Sequence, residues 1–190
     1  LLDDKEVDAV VIVTPTAYHC ELVVMAAKAG RHVLCEKPMA MNAGECCKML
    51  DAVKRAGVKL QIGFMRRYDR SYLHARAQVE AGAIGAVVQV KSLTHGPSNP
   101  LPWMFDLRKS NGPLAEVNSH DIDVLRWFTG SEFKSVYAVG GNFRCPQARV
   151  DFPDFYDTVS LCAVFKSGMQ GVVNGAQGVK YGYDARLEIL

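Results

Sequence analysis

The stretch Glu116-Val117-Asn118-Ser119-His120-Asp121-Ile122-Asp123 gathers carboxylates, an imidazole and amide or hydroxyl groups within eight positions. In a helix, residues three and four apart share a face, so Glu116, His120 and Asp123 would form one polar stripe. Val117, Ile122, Leu125 and Phe128 cover much of the remaining surface, so the spacing predicts one largely buried helix over about 114–128 ending at Gly130. Burying two carboxylates and an imidazole costs several kcal/mol unless they are paired or used. A capped helix start with one satisfied core histidine would account for the pattern. So would a site in which His120 moves a proton near neutral pH while Glu116, one turn earlier, orients it.

A second stretch supplies a complementary group. His32-Val33-Leu34-Cys35-Glu36-Lys37-Pro38 reads as a buried parallel strand over 31–35 whose exit carries Lys37 between a carboxylate and a proline. In open α/β sheets the carboxyl ends of strands are where ligands bind, although lysines near strand ends are most often solvated. A lysine beside a histidine base would stabilise a developing alkoxide and lower the pKa of a bound hydroxyl. Together they suit alcohol oxidation with a hydride acceptor. A metal centre built on Glu116, His120 and Asp123 lacks a clear further ligand.

These residues need a scaffold. Residues 7–13 are a nearly continuous β-branched run, the pattern of a strand covered on both faces. Thr16 is expected to cap a helix carrying Leu22, Met25, Ala26 and Ala29, with Gly30 as its stop. A strand over 31–35 completes a βαβ unit. Asn42 and Glu45 form a capping-box pattern, Gly57 ends that helix, and 58–64 is a third strand. This is half of a doubly wound nucleotide-binding sheet. GxGxxG does not occur.

After Gly63 the pattern changes. A helix capped by Asp69 runs to about Ala81, followed by a strand over 87–94 and the 114–128 helix. Strands over 135–141, 158–165 and 169–175 follow, the last two joined by Lys166-Ser167-Gly168 as an antiparallel hairpin. The expected fold class is α/β: half of a parallel sheet, then an α+β domain whose largely antiparallel sheet has one open face, with domains over 1–63 and 64–190. The chain starts at Leu1 and stops within an alternating stretch at 185–189, so it reads as a piece of a longer protein.

Composition narrows the function. Hydrophobic content of 49% and charged content of 22% are those of a soluble globular protein. A net charge of +2, with no basic cluster, gives no reason to expect a nucleic-acid or membrane-surface partner. Six cysteines without a CxxC pair are expected to be reduced, mostly packed thiols in a cytoplasmic protein with no bound metal.

Several motifs in order resemble the Gfo/Idh/MocA oxidoreductases: Val11-Ile12-Val13-Thr14-Pro15 with His19, Cys35-Glu36-Lys37-Pro38, Gly63-Phe64-Met65-Arg66-Arg67, and the segment from Asn111-Gly112 to Asp123. Arg66-Arg67-Tyr68-Asp69 and Lys180-Tyr181-Gly182-Tyr183-Asp184 are the more particular points. The resemblance implies a Rossmann domain lacking its glycine-rich half, then a C-terminal domain that binds polyol and forms homo-oligomers, dimers or tetramers, through its open sheet. It implies hydride transfer from a secondary alcohol of an inositol or sugar to NAD or NADP. Lys37 is similar to the catalytic lysine and His120 to the base, with Glu116 standing where the family usually has Asp. Thr14, Pro15, His19, Glu36, Lys37 and Pro38 are similar to cofactor-facing positions; Arg66, His95, Asp123 and Tyr183 to substrate-lining ones. A family member can also keep the fold as a non-catalytic sensing or assembly module. Without the glycine-rich turn, the chain as given is expected to hold the cofactor pyrophosphate poorly and to be inactive alone.

Overall fold

The computed structural model describes residues 1–190. It divides into two compact units, one of residues 1–64 with 108–110, the other of residues 65–107 with 111–190.

In the first unit β1 (Ala9–Ile12), β2 (His32–Cys35) and β3 (Leu60–Ile62) form a parallel sheet in that order. Helices α1 (His19–Lys28) and α2 (Ala43–Ala56) make the crossovers and pack on one another. Val10, Ile12, Val33 and Cys35 face the core with Val23, Ala26, Ala27, Met49, Ala52 and Val53. Burial on both faces is not found. β1 and β2 alternate between exposed and buried, and Val11, Val13 and Leu34 remain 64%, 72% and 43% exposed. Two successive right-handed crossovers place both helices on one side, which explains the single covered face.

The second unit holds the other sheet, in the order β5 (Phe133–Gly141), β6 (Thr158–Phe165), β7 (Gln170–Gln177), β4 (Gln89–Gly96), β8 (Asp184–Ile189). Only β4 and β7 pair parallel. The β6–β7 hairpin turns at Gly168, whose φ of 90° lies in the region that favours glycine. Helix α3 (Arg70–Glu80) starts on Asp69, whose carboxylate accepts from Ser71 N and Tyr72 N. Val90, Val124, Leu125, Phe128, Leu161, Ala163, Phe165 and Val173 form the core.

Two expected helix starts differ. Thr16 does not cap α1; it opens a 3-10 turn, Thr16–Tyr18, with no side-chain cap, because Pro15 precedes it in extended backbone. After a short α4 (Leu107–Ser110), the single helix expected over 114–128 is two pieces, α5 (Gly112–Glu116) and α6 (Ser119–Thr129). The break falls at Val117-Asn118, where Asn118 turns its side chain to Asp121 (Nδ2 to Oδ2, 2.8 Å) and the backbone departs from helical angles at Asn118 (ψ 2°). A short polar side chain with a local partner favours such an interruption. No helix is long and apolar enough to cross a membrane.

Candidate active site

In the first unit the expected residues lie just past the carboxyl ends of the strands. Thr14 and Pro15 follow β1 and are exposed; Glu36, Lys37 and Pro38 follow β2, with Lys37 half-buried; Gly63 follows β3. Glu36 N donates to Ile12 O (2.9 Å) and Gly63 N to Cys35 O (2.8 Å), so the three exits are tied together. The Glu36 carboxylate accepts from Lys37 N at 3.1 Å. A Cβ on Gly63 would meet that carboxyl at 3.1 Å, so the missing side chain leaves it room. The Lys37-Pro38 peptide is cis.

His19 is 1% exposed. Its Nδ1 lies 2.9 Å from Pro38 O and its Nε2 2.8 Å from Thr14 O. It therefore joins the loop after β1 to the loop after β2 from inside, and acts behind the strand ends, not as a surface facing a ligand. Burial, with Glu36 beside it, pushes the Cys35 thiol up to about 12. Cys35 and Cys145 are buried thiols, whereas Cys47 and Cys162 are exposed, so the cysteines are less uniformly packed than expected.

In the second unit His120 is half-buried in the first turn of α6. Glu116 is 8% exposed and ends α5, so it does not continue the helical stripe of His120; the break at Asn118 intervenes. Asp123 does share the face of His120, three residues on. Arg66 and Asp123, expected to face substrate, are turned to protein partners instead, with 2% and 6% exposure. Arg66 donates to Asp121 Oδ1 at 2.6 Å and to Thr94 Oγ1. Arg67, exposed enough to suggest a surface role, forms a fork with Asp123: Nε to Oδ2 2.8 Å, Nη2 to Oδ1 2.9 Å. Its guanidinium also stacks 5.4 Å from the Trp127 ring centroid. Burial works against the Arg66 charge, but the Asp121 carboxylate, together with Tyr72 and Tyr183, outweighs it and raises the guanidinium above its ordinary value.

The structure thus brings Arg66 and Asp121 together and sets His95 apart. Thr94 points to α6 through its bond to Asp121 (3.1 Å), so the next residue, His95, points to the opposite face of the sheet. There its ring nitrogens meet Tyr181 Oη and Asn174 Oδ1, each at 2.6 Å. Asp121, Asn118, Ser92, Thr94 and Arg67 were not among the expected site residues. A signal existed for two of them: Ser92 and Thr94 sit at the inward parity of β4 beside Val90, where a strand facing a helix should be apolar.

The comparison with known proteins follows this division. The model of an oxidoreductase family, NAD-binding Rossmann fold, matches residues 1–64, and that of the GFO/IDH/MocA C-terminal domain matches residues 72–190. The chain belongs to the GFO/IDH/MocA oxidoreductases. Within the family it is 35% identical over 189 residues to a myo-inositol 2-dehydrogenase of Thermotoga maritima, covering 100% of this chain and 55% of that protein. It is 34% identical over 193 residues to the NAD(+) scyllo-inositol 2-dehydrogenase of Bacillus subtilis, covering 100% of this chain and 54% of that protein. Among solved structures, a scyllo-inositol dehydrogenase from Lactobacillus casei with bound NAD(H) and scyllo-inositol superposes with a TM-score of 0.84 at 27% identity, over 100% of this chain and 56% of that one. The chain spans about half the length of the curated relatives it matches.

The strand ends of the first unit fit the NAD-binding Rossmann family that matches it. Exposed Thr14 and Pro15 and half-buried Lys37 stand at adjacent carboxyl ends of parallel strands, the position where such sheets take ligands. The 190 residues hold no glycine-rich turn for the pyrophosphate.

Proposed function

We propose that the full-length protein is a nicotinamide-dependent polyol dehydrogenase oxidising a secondary alcohol of an inositol or related sugar, with NAD as the cofactor the relatives favour. The observation that carries the reading is the first turn of α6: it presents His120 with Asp121 and Asp123 on either side, and arginines pair with both carboxylates. A half-buried imidazole in such a turn suits proton transfer near neutral pH. Lys37, just past β2 in an NAD-binding Rossmann unit, supplies the positive charge that stabilises the alcohol oxygen as its proton leaves.

His120 takes the hydroxyl proton at a ring nitrogen. Lys37 holds the oxygen, with Glu36 fixing the Lys37 main chain. Glu116, which ends the neighbouring short helix, is the carboxylate we assign to orienting the base. When bound, the nicotinamide accepts the hydride. Tyr183, which is 63% exposed, is the residue we assign to polyol hydroxyls. The open face of the five-stranded sheet, with Tyr137, Val139 and Val164 exposed, supports homo-oligomerisation, which light scattering on the full-length protein checks.

The test is nicotinamide reduction by full-length protein with myo-inositol, scyllo-inositol and a sugar panel. Lys37→Met and His120→Ala should each lower kcat by roughly 10²-fold or more, the scale of positioned acid–base catalysis. Turnover unchanged in either variant removes the role assigned to that residue.

A further inference from the structure

Asp121 follows His120 in sequence, yet its carboxylate is engaged by the side chains of other elements. It is 0% exposed and accepts from four side chains: Arg66, Ser92 and Thr94 on Oδ1, and Asn118 on Oδ2. Three donors crowd Oδ1 and one takes Oδ2, and complete burial keeps the carboxylate away from substrate. Its donors come from the loop after β3, from β4 and from the α5–α6 junction, and each is itself at most 2% exposed. Asn118 reaches its place because β7 has glycine opposite: a Cβ on Gly175 would stand 2.1 Å from Asn118 Oδ1.

Successive helical residues are about 100° apart, so a fixed Asp121 side chain sets the rotation of α6 and with it the direction of His120. Arg67 straps the same helix at Asp123 and Trp127, which lie on the face of His120. We propose that Asp121 is the positioning residue for His120, and that Arg66 serves Asp121 and not the substrate. This rests on the polyol dehydrogenase reading for its kinetic consequence, but its geometric part does not.

The experiment compares full-length wild type with Arg66→Gln, Asp121→Asn, the R66Q/D121N double variant and Gly175→Ala. Each single charge removal isolates a buried charge, whereas the double variant keeps donor and acceptor without either charge. Each single variant should lose about 10–100-fold in kcat, the scale of a small misplacement of a catalytic group, with polyol KM within about threefold. The double variant should recover at least about tenfold over the worse single one, since only it restores a balanced pair. A tenfold rise in polyol KM for Arg66→Gln that the double variant does not relieve would overturn the proposal, because it marks Arg66 as a ligand.

A readout independent of turnover separates the two readings. The ring resonances of His120, assigned by their loss in His120→Gln, should shift or broaden in Asp121→Asn and Gly175→Ala, and return toward wild type in the double variant. Unmoved resonances in all of them refute the positioning role even if the wild type turns over inositol. Moved resonances in a protein that oxidises no polyol keep the positioning role and reject the assigned reaction. If Asp121→Asn does not fold, the double variant and Gly175→Ala carry both readouts.

Discussion

The two units solve the problem of placing a polar side chain in opposite ways. The first has an almost wholly apolar interior of Val, Ala, Met and Cys, and its buried imidazole, His19, is held by two main-chain carbonyls. The second buries charges. Arg66, Asp121 and Asp123 lie under 10% exposed beside Ser92, Thr94 and Asn118. In the first, each strand pairs with the next along the chain, and the His19 contacts reach residues 5 and 19 positions away. In the second, Arg66 meets a residue 55 positions away. A repeated βαβ pattern can position a lysine by topology alone, whereas a short helix lying on a sheet needs specific cross-links to fix its rotation.

That contrast can be broken most forcefully at Asp121. Asp121→Leu leaves the Arg66 guanidinium buried and alone, and should destabilise the protein by about 3–5 kcal/mol in urea denaturation. A loss under 1 kcal/mol would mean the network contributes no more than a surface pair. Gly175→Ala should follow at about 1–3 kcal/mol, because the added methyl displaces Asn118 and the packing around it must shift. His19→Ala is the counterpart in the first unit. It removes the ring that lies between the two carbonyls and should cost about 1–3 kcal/mol, with amide exchange quickening around Thr14 and Pro38 while Ser92 and Thr94 keep their protection.

Helix caps should not distinguish the units. Asn42 accepts from Glu45 N at 3.0 Å and Asp69 from Ser71 N at 2.8 Å, so Asn42→Ala and Asp69→Ala should each cost about 1 kcal/mol. A difference of several kcal/mol between them would show that one cap has a tertiary role. The smallest effect concerns the thiols. With its value pushed up to about 12, Cys35 stays neutral in the folded state where an unfolded cysteine ionises, near 8.5. Its contribution to stability is therefore full below about pH 8.5 and is lost as pH rises toward about 12. At pH 8, alkylation followed by peptide mapping should mark Cys47 and Cys162 and spare Cys35 and Cys145.

The sequence alone determined whatever depends on neighbours along the chain. A nearly continuous β-branched run marked the first parallel strand, Asn42 and Asp69 marked their helix starts, and Gly57 and Gly168 marked a helix end and a hairpin, because each is a local choice of backbone angle or a bond within four residues. The ordered motifs around Thr14, Lys37, Arg66 and His120 were enough for the family. Tertiary structure alone decided which polar residues stand in front and which behind. The expected stripe from Glu116 to His120 fails because Asn118 leaves the helix to reach Asp121. His95 falls on the far face because one step along a strand reverses the side chain. Arg66 and Asp123 carry the residue types of a substrate site, yet their charges are paired across more than fifty residues with Asp121 and Arg67. Pairing at that distance depends on how β4, α6 and the loop after β3 pack, and the type and spacing of the residues do not encode it.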